Sequence, residues 1–152
     1  MGPTTKLPSL GHIGFEAMVA SYEEQAAALI EGGVDVLLIE TAQDLLQAKI
    51  ATISVLEAMR KAGKRSPVTV QVTRQESGTM LLGTEIGAAL TALEPFDVDA
   101  IGLNCAAGLK EICSIRSIVA RDIPLATRPA PIWRTRRSCS LHSSRKKMSA
   151  SD

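Results

Sequence analysis

The sequence predicts an α/β fold built on a parallel sheet. Three observations carry this. Three strand-like runs, Asp35-Val-Leu-Leu-Ile-Glu40-Thr41, Val68-Thr-Val-Gln-Val-Thr73 and Ala100-Ile-Gly-Leu-Asn104-Cys105, each end on polar residues. Their ends at Glu40, Thr73 and Cys105 fall 33 and 32 residues apart. The segments between them have helical periodicity, which is the rhythm of repeated βα units. In such sheets the chemistry collects at the carboxyl ends of the strands.

Taken in order, residues 1–14 read as a loop. A helix over 15–31 follows from apolar residues at three- and four-residue steps: Phe15, Met18, Val19, Tyr22, Ala26, Leu29 and Ile30. Gly32-Gly33 stops it. A strand over 34–40 is nearly continuous in apolar residues, as when helices cover a sheet. The spacing of Leu46, Ile50, Ile53 and Leu56 predicts a helix over 43–62, stopped by Gly63. A strand over 67–73 alternates valines with Thr69, Gln71 and Thr73. A loop over 74–83 leads to a helix over 85–94, a strand over 98–104 and a weaker helix over 109–120. Ile123-Pro124-Leu125-Ala126 would approach a fourth strand.

The pattern stops there, dividing the chain into a folded domain over 1–126 and a tail over 127–152. Residues 1–126 carry 10 Lys/Arg against 15 Asp/Glu, and residues 127–152 carry 7 against one, out of 17 and 16 in all. The tail is rich in Ser and Arg and has no period of either kind. It cannot bury enough apolar surface to offset an ordering entropy of about 1–2 kcal/mol per residue, so disorder is expected. Its charge allows nucleic-acid binding through phosphates, but Trp133 stands alone and no recognisable fold accompanies it. A solvated tail is the favoured reading.

Aromatic residues make up 3% of the chain and hydrophobic residues 45%, which points to a core of Leu, Ile, Val and Ala. No apolar run approaches the roughly 18 residues of a membrane span. The start lacks the charged-then-apolar pattern of a secretory leader. Together with three cysteines, this predicts reduced thiols and a cytoplasmic location.

Four residues stand out as candidates. Cys105, directly after a strand, reads as a metal ligand, a nucleophile or a small buried thiol. Glu40, closing an apolar run, either holds a cationic ligand group or pairs with the loops. Asn104 and Thr73 offer hydrogen bonds to a polar ligand or order the loops around them.

Gly2-Pro3-Thr4, Asp35-Val-Leu-Leu-Ile-Glu40-Thr41, Ser77-Gly78-Thr79-Met-Leu-Leu-Gly83 and Gly102-Leu-Asn104-Cys105-Ala106 stand in this order in the chain. As an ordered set, over about residues 2–125, they resemble homocysteine S-methyltransferase domains. The resemblance is strongest to the homocysteine-binding barrel that opens cobalamin-dependent methionine synthases. It implies a partial (β/α)8 TIM barrel, about strands four to six with their helices. It implies zinc, with Cys105 as one of three cysteine ligands. It implies homocysteine as substrate, with Glu40 at its amino-acid end and Asn104 and Thr73 as secondary contacts. The implied methyl donor is methylcobalamin, held by a cobalamin module of a longer chain. The adjacent cysteine pair that would complete the metal site is absent here, and Cys113 and Cys139 do not substitute for it. The isolated chain is therefore expected to be inactive. Its open strand edges also invite self-association, or pairing with a complementary chain as a non-catalytic half-barrel.

Overall fold

The computed structural model describes residues 1–104. Cys105, the expected helix over 109–120, the approach to a fourth strand and the tail over 127–152 lie outside the described residues.

Three helices and three strands alternate: α1 (Phe15–Glu31), β1 (Leu37–Ala42), α2 (Leu45–Ala62), β2 (Val68–Thr73), α3 (Ile86–Leu93) and β3 (Ala100–Asn104). The strands form one parallel sheet in the order β1-β2-β3. The expected α/β architecture is present, and among the described residues each expected helix and strand is found in its expected order, with shifts of a few residues at some ends. One further piece of structure, a single 3-10 turn over Pro8–Leu10, lies in the stretch expected to be loop. Among the described residues no helix is long and apolar enough to cross a membrane.

β1 begins three residues later than expected. The amide of Val34 is taken by the carbonyl of Leu29, closing the end of α1, and Val36 is half exposed. The strand starts at Leu37, whose amide donates to Pro67 at 2.9 Å.

The buried face of α2 also differs from the expected aliphatic stripe. Ile53 is 37% exposed. The buried residues are largely small, including Ala48, Ala51, Ser54 and Ala58, because α2 is sandwiched between the sheet and α1. Small side chains let the helix backbones approach closely, and the Ser54 hydroxyl reaches the carbonyl of Val19 on α1 at 3.2 Å. Phe15, expected on the buried face of α1, is 45% exposed at the first turn. Met18, Tyr22, Ala26 and Ile30 carry that face instead. α2 ends at Gly63, whose φ of 62° is the left-handed conformation that closes a helix.

The sheet has two unlike faces, because successive residues of a strand point to opposite sides. Leu37, Ile39, Val68, Val70 and Val72 face the helices and are fully buried. Each such side chain contributes about 1.5–3 kcal/mol. The other face carries Leu38, Thr69, Gln71 and Thr73. Gly102 lies beside Gln71 there: a Cβ at Gly102 would stand 3.6 Å from Gln71 Cγ. This polar face and its upper rim position the candidate site.

Candidate functional site

The rim is the carboxyl end of the sheet, and its shape comes from an irregularity in β1. Ile39 pairs with Val70, but the next pair is Ala42 with Val72. Two residues, Glu40 and Thr41, therefore stand opposite the single Gln71. Such a bulge re-aims side chains at the end of a strand. It holds Thr41 at φ 59°, the only positive φ among non-glycine residues described. That conformation is unfavourable for a β-branched residue.

Asn104, the last residue of β3, spans the rim. It pairs in register with Thr73 on β2, and its side chain reaches across to β1. Asn104 Nδ2 donates to Thr41 Oγ1 at 2.6 Å and lies 3.4 Å from Glu40 Oε1. The first contact is short and firm, the second long and weak. Glu40 therefore remains exposed, with most of its accepting capacity facing solvent. Its backbone is fixed on the other edge of β1, where the Glu40 amide donates to the carbonyl of Met1 at 3.0 Å. The Met1 ammonium donates to Leu38 at 2.8 Å. This pair of bonds flanking Ile39 is the pattern of a parallel bridge.

Thr73 is 6% exposed, and its hydroxyl oxygen finds no hydrogen-bond partner. Buried hydroxyls are nearly always satisfied, so this one is an unusual feature of the rim. Three of the four residues singled out in the sequence, Glu40, Asn104 and Thr73, thus meet at one end of the sheet. The fourth, Cys105, follows Asn104 directly and lies outside the described residues.

Sequence reasoning missed several features. Asp44 is 2% exposed and accepts from the Leu46 amide, the Ser9 amide and the Ser9 hydroxyl, all at 2.7–2.9 Å. It caps α2 and pins the Pro8–Leu10 turn to the rim. An acid just before a helical period is a cap signal that was there to be read. Beneath residues 1–4, the buried Gln47 donates to Tyr22 at 2.9 Å, and Tyr22 donates to the carbonyl of Gly2 at 3.3 Å. Burial pushes the Tyr22 phenol above its ordinary range, against a smaller opposing effect from Gln47, so it stays protonated and keeps donating. Arg74, one residue past β2, also went unread.

Among the described residues no three His, Cys, Asp or Glu side chains converge as a metal site. The cysteines of the chain, at 105, 113 and 139, include no adjacent pair. A zinc site takes three protein ligands even when catalytic, so the thiols in this stretch do not fit a complete one.

A parallel α/β sheet of this kind is part of a (β/α) barrel architecture, in which ligand sites lie at the carboxyl rim. Residues 1–148 match the homocysteine S-methyltransferase family, and the chain belongs to it. It is 49% identical over 131 residues to a methionine synthase of Mycobacterium tuberculosis, covering 85% of this chain and 11% of that one. It is 54% identical over 112 residues to a methionine synthase of Mycobacterium leprae, covering 74% of this chain and 9% of that one. The chain thus spans about a tenth of the length of these relatives. The fold is similar to that of a homocysteine methyltransferase from Escherichia coli solved in its apo form. The TM-score is 0.61 at 22% identity, covering 78% of this chain and 41% of that one.

Proposed function

We propose that this chain forms the substrate-holding arc of a methyltransferase that places a methyl group on the thiol of homocysteine. Family membership supports the reaction class. The observation that carries the assignment of residues is the reach of Asn104 from β3 to Glu40 and Thr41 on β1, which gathers the polar groups of two strands over a third. Glu40, with most of its lone pairs free, accepts the ammonium of the amino acid. Asn104 orients that carboxylate. The unpartnered Thr73 hydroxyl supplies a further hydrogen bond beside it.

Cys105, immediately beyond this constellation, is proposed as one zinc ligand, the remaining ligands coming from residues outside this stretch. Bound zinc would supply a deprotonated, nucleophilic substrate thiol at neutral pH. The residues described here bind and orient. Methylcobalamin, presented by a cobalamin module like those of longer methionine synthases, is the proposed methyl donor, and the cytoplasm the proposed location. The domain is proposed to extend over 1–126, followed by a solvated tail over 127–152.

The test is direct titration of homocysteine into the 152-residue chain and its Glu40→Gln variant. A loss of affinity of about tenfold or more with unchanged thermal stability is expected, since a charge-assisted bond becomes a neutral one. Equal affinities would remove Glu40 from the site. The 152-residue chain alone is expected to make no methionine from homocysteine and methylcobalamin, having one of three zinc thiolates.

A further inference from the structure

We infer that Arg74 binds a carboxylate at the carboxyl end of β2, and, resting on the reading above, that this is the carboxylate of the amino-acid substrate. Arg74 follows Thr73, so its backbone stands on the rim that carries Glu40 and Asn104. Arg60 and Arg65 each pair with acids, at 2.6 Å to Glu57 and 2.9 Å to Asp99. Arg74 forms no ion pair among the described residues, and its Nη1 is enclosed with no hydrogen-bond partner. Leaving such a donor unmatched is unfavourable, and more so for a charged group.

The guanidinium is stowed rather than docked. It lies against the turn closed by Gly78 donating to Gln75 at 3.0 Å and Gln75 donating to Thr79 at 2.8 Å. A Cβ at Gly78, where φ is 96°, would stand 3.2 Å from Arg74 Nη2, so the turn is shaped around the charge without offering it an acceptor. Glu76, in the same turn, is exposed and leaves it unpaired. The residue keeps part of its surface in solvent, from which a ligand can approach. A small shift of the turn then frees Nη1, and a carboxylate takes two parallel N–H bonds in the geometry that guanidinium favours.

The neighbouring Thr73 hydroxyl gives the second, independent sign. It too is buried without a partner, so two consecutive residues on the rim each carry a polar atom that is unmatched among the described residues. Glu40 on β1 and Arg74 just past β2 both stand at the carboxyl end of the sheet, an acid and a cation for the two charges of a zwitterionic amino acid.

Three thiols separate the charges. L-homocysteine has both, 3-aminopropane-1-thiol lacks the carboxylate, and 4-sulfanylbutanoate lacks the ammonium. Each is titrated calorimetrically into the full 152-residue chain, Arg74→Gln and Arg74→Lys. Arg74→Gln is expected to weaken homocysteine and 4-sulfanylbutanoate by about tenfold or more and to leave 3-aminopropane-1-thiol unchanged, with partial recovery in Arg74→Lys. Wild-type affinity of Arg74→Gln for homocysteine overturns the inference alone. An equal loss for all three thiols also overturns it, because that is the signature of a structural role. Binding of none of them by the unaltered chain overturns the substrate reading and this inference together.

Discussion

At the amino ends of the strands, polar groups are tied off. Asp99 accepts from the Val68 amide at 2.7 Å and from Arg65 at 2.9 Å, and its own amide donates to Val68 at 2.9 Å. Leu37 is bonded to Pro67. At the carboxyl ends the same three strands carry a bulge, a threonine at φ 59°, and two buried polar atoms without partners at Thr73 and Arg74. One end of the sheet is satisfied and the other is left with unmatched groups and backbone strain. Folding selects for the first condition. The second persists where a ligand completes the structure, which fits the rule that barrel chemistry sits at the carboxyl ends.

Asp44 sharpens the comparison because it lies at the carboxyl end yet belongs in kind to the satisfied one. It stands four residues from Glu40 and has the same charge. It is buried and accepts three hydrogen bonds, whereas Glu40 is exposed and holds one long contact. Asp44→Ala removes a helix cap and leaves the Ser9 amide and hydroxyl without their acceptor. The expected cost is about 2–3 kcal/mol in urea denaturation. Homocysteine affinity, measured where the variant is folded, should stay within about twofold. A loss of affinity without a loss of stability would place Asp44 with Glu40 as a ligand-binding acid.

The amino end offers the converse. Asp99→Ala removes the side-chain tie between the start of β3 and Val68 of β2 and, among the described residues, leaves Arg65 with Asp97 alone as its ion-pair partner. Because these groups are partly exposed and water replaces their bonds, the expected loss is about 1–2 kcal/mol. Homocysteine affinity should be unaffected, since Asp99 lies at the far end of the strands from Asn104. If ligand binding fell with Asp99→Ala at unchanged stability, the division of labour between the two ends would be wrong.

The fold was legible because its signals are local and redundant. Helical spacing, β-branched alternation and glycine stops agreed with one another from Phe15 to Asn104. The polar strand ends were legible too, since Glu40, Thr73 and Asn104 each close an apolar run and point to the same rim. What escaped was whatever depends on contact across the chain. Nothing in the local sequence says that Ile53 faces solvent, because that follows from α1 packing against the Ala-rich side of α2. The bulge at Glu40 and Thr41 is a register difference between two strands and exists in neither alone. Arg74 was unremarkable as one cation in a polar loop, and only its enclosed, unpartnered Nη1 sets it apart.

Thr41 brings strain and site together in one residue. A β-branched side chain at φ 59° costs about 1 kcal/mol or more relative to glycine, which adopts that conformation freely. Yet the Thr41 hydroxyl is the firm acceptor that holds Asn104 across the rim at 2.6 Å. Thr41→Gly relieves the strain and removes the bond, and it also gives the unfolded chain more freedom. These contributions are of similar size and opposite sign, so the net change in stability should be under about 1 kcal/mol. Homocysteine affinity should fall by about three- to tenfold, because Asn104 then loses its anchor and no longer orients Glu40. A clear gain in stability with unchanged affinity would mean that the strained threonine has no part in the site. A clear loss of stability would mean that the bond to Asn104 serves the sheet rather than the ligand.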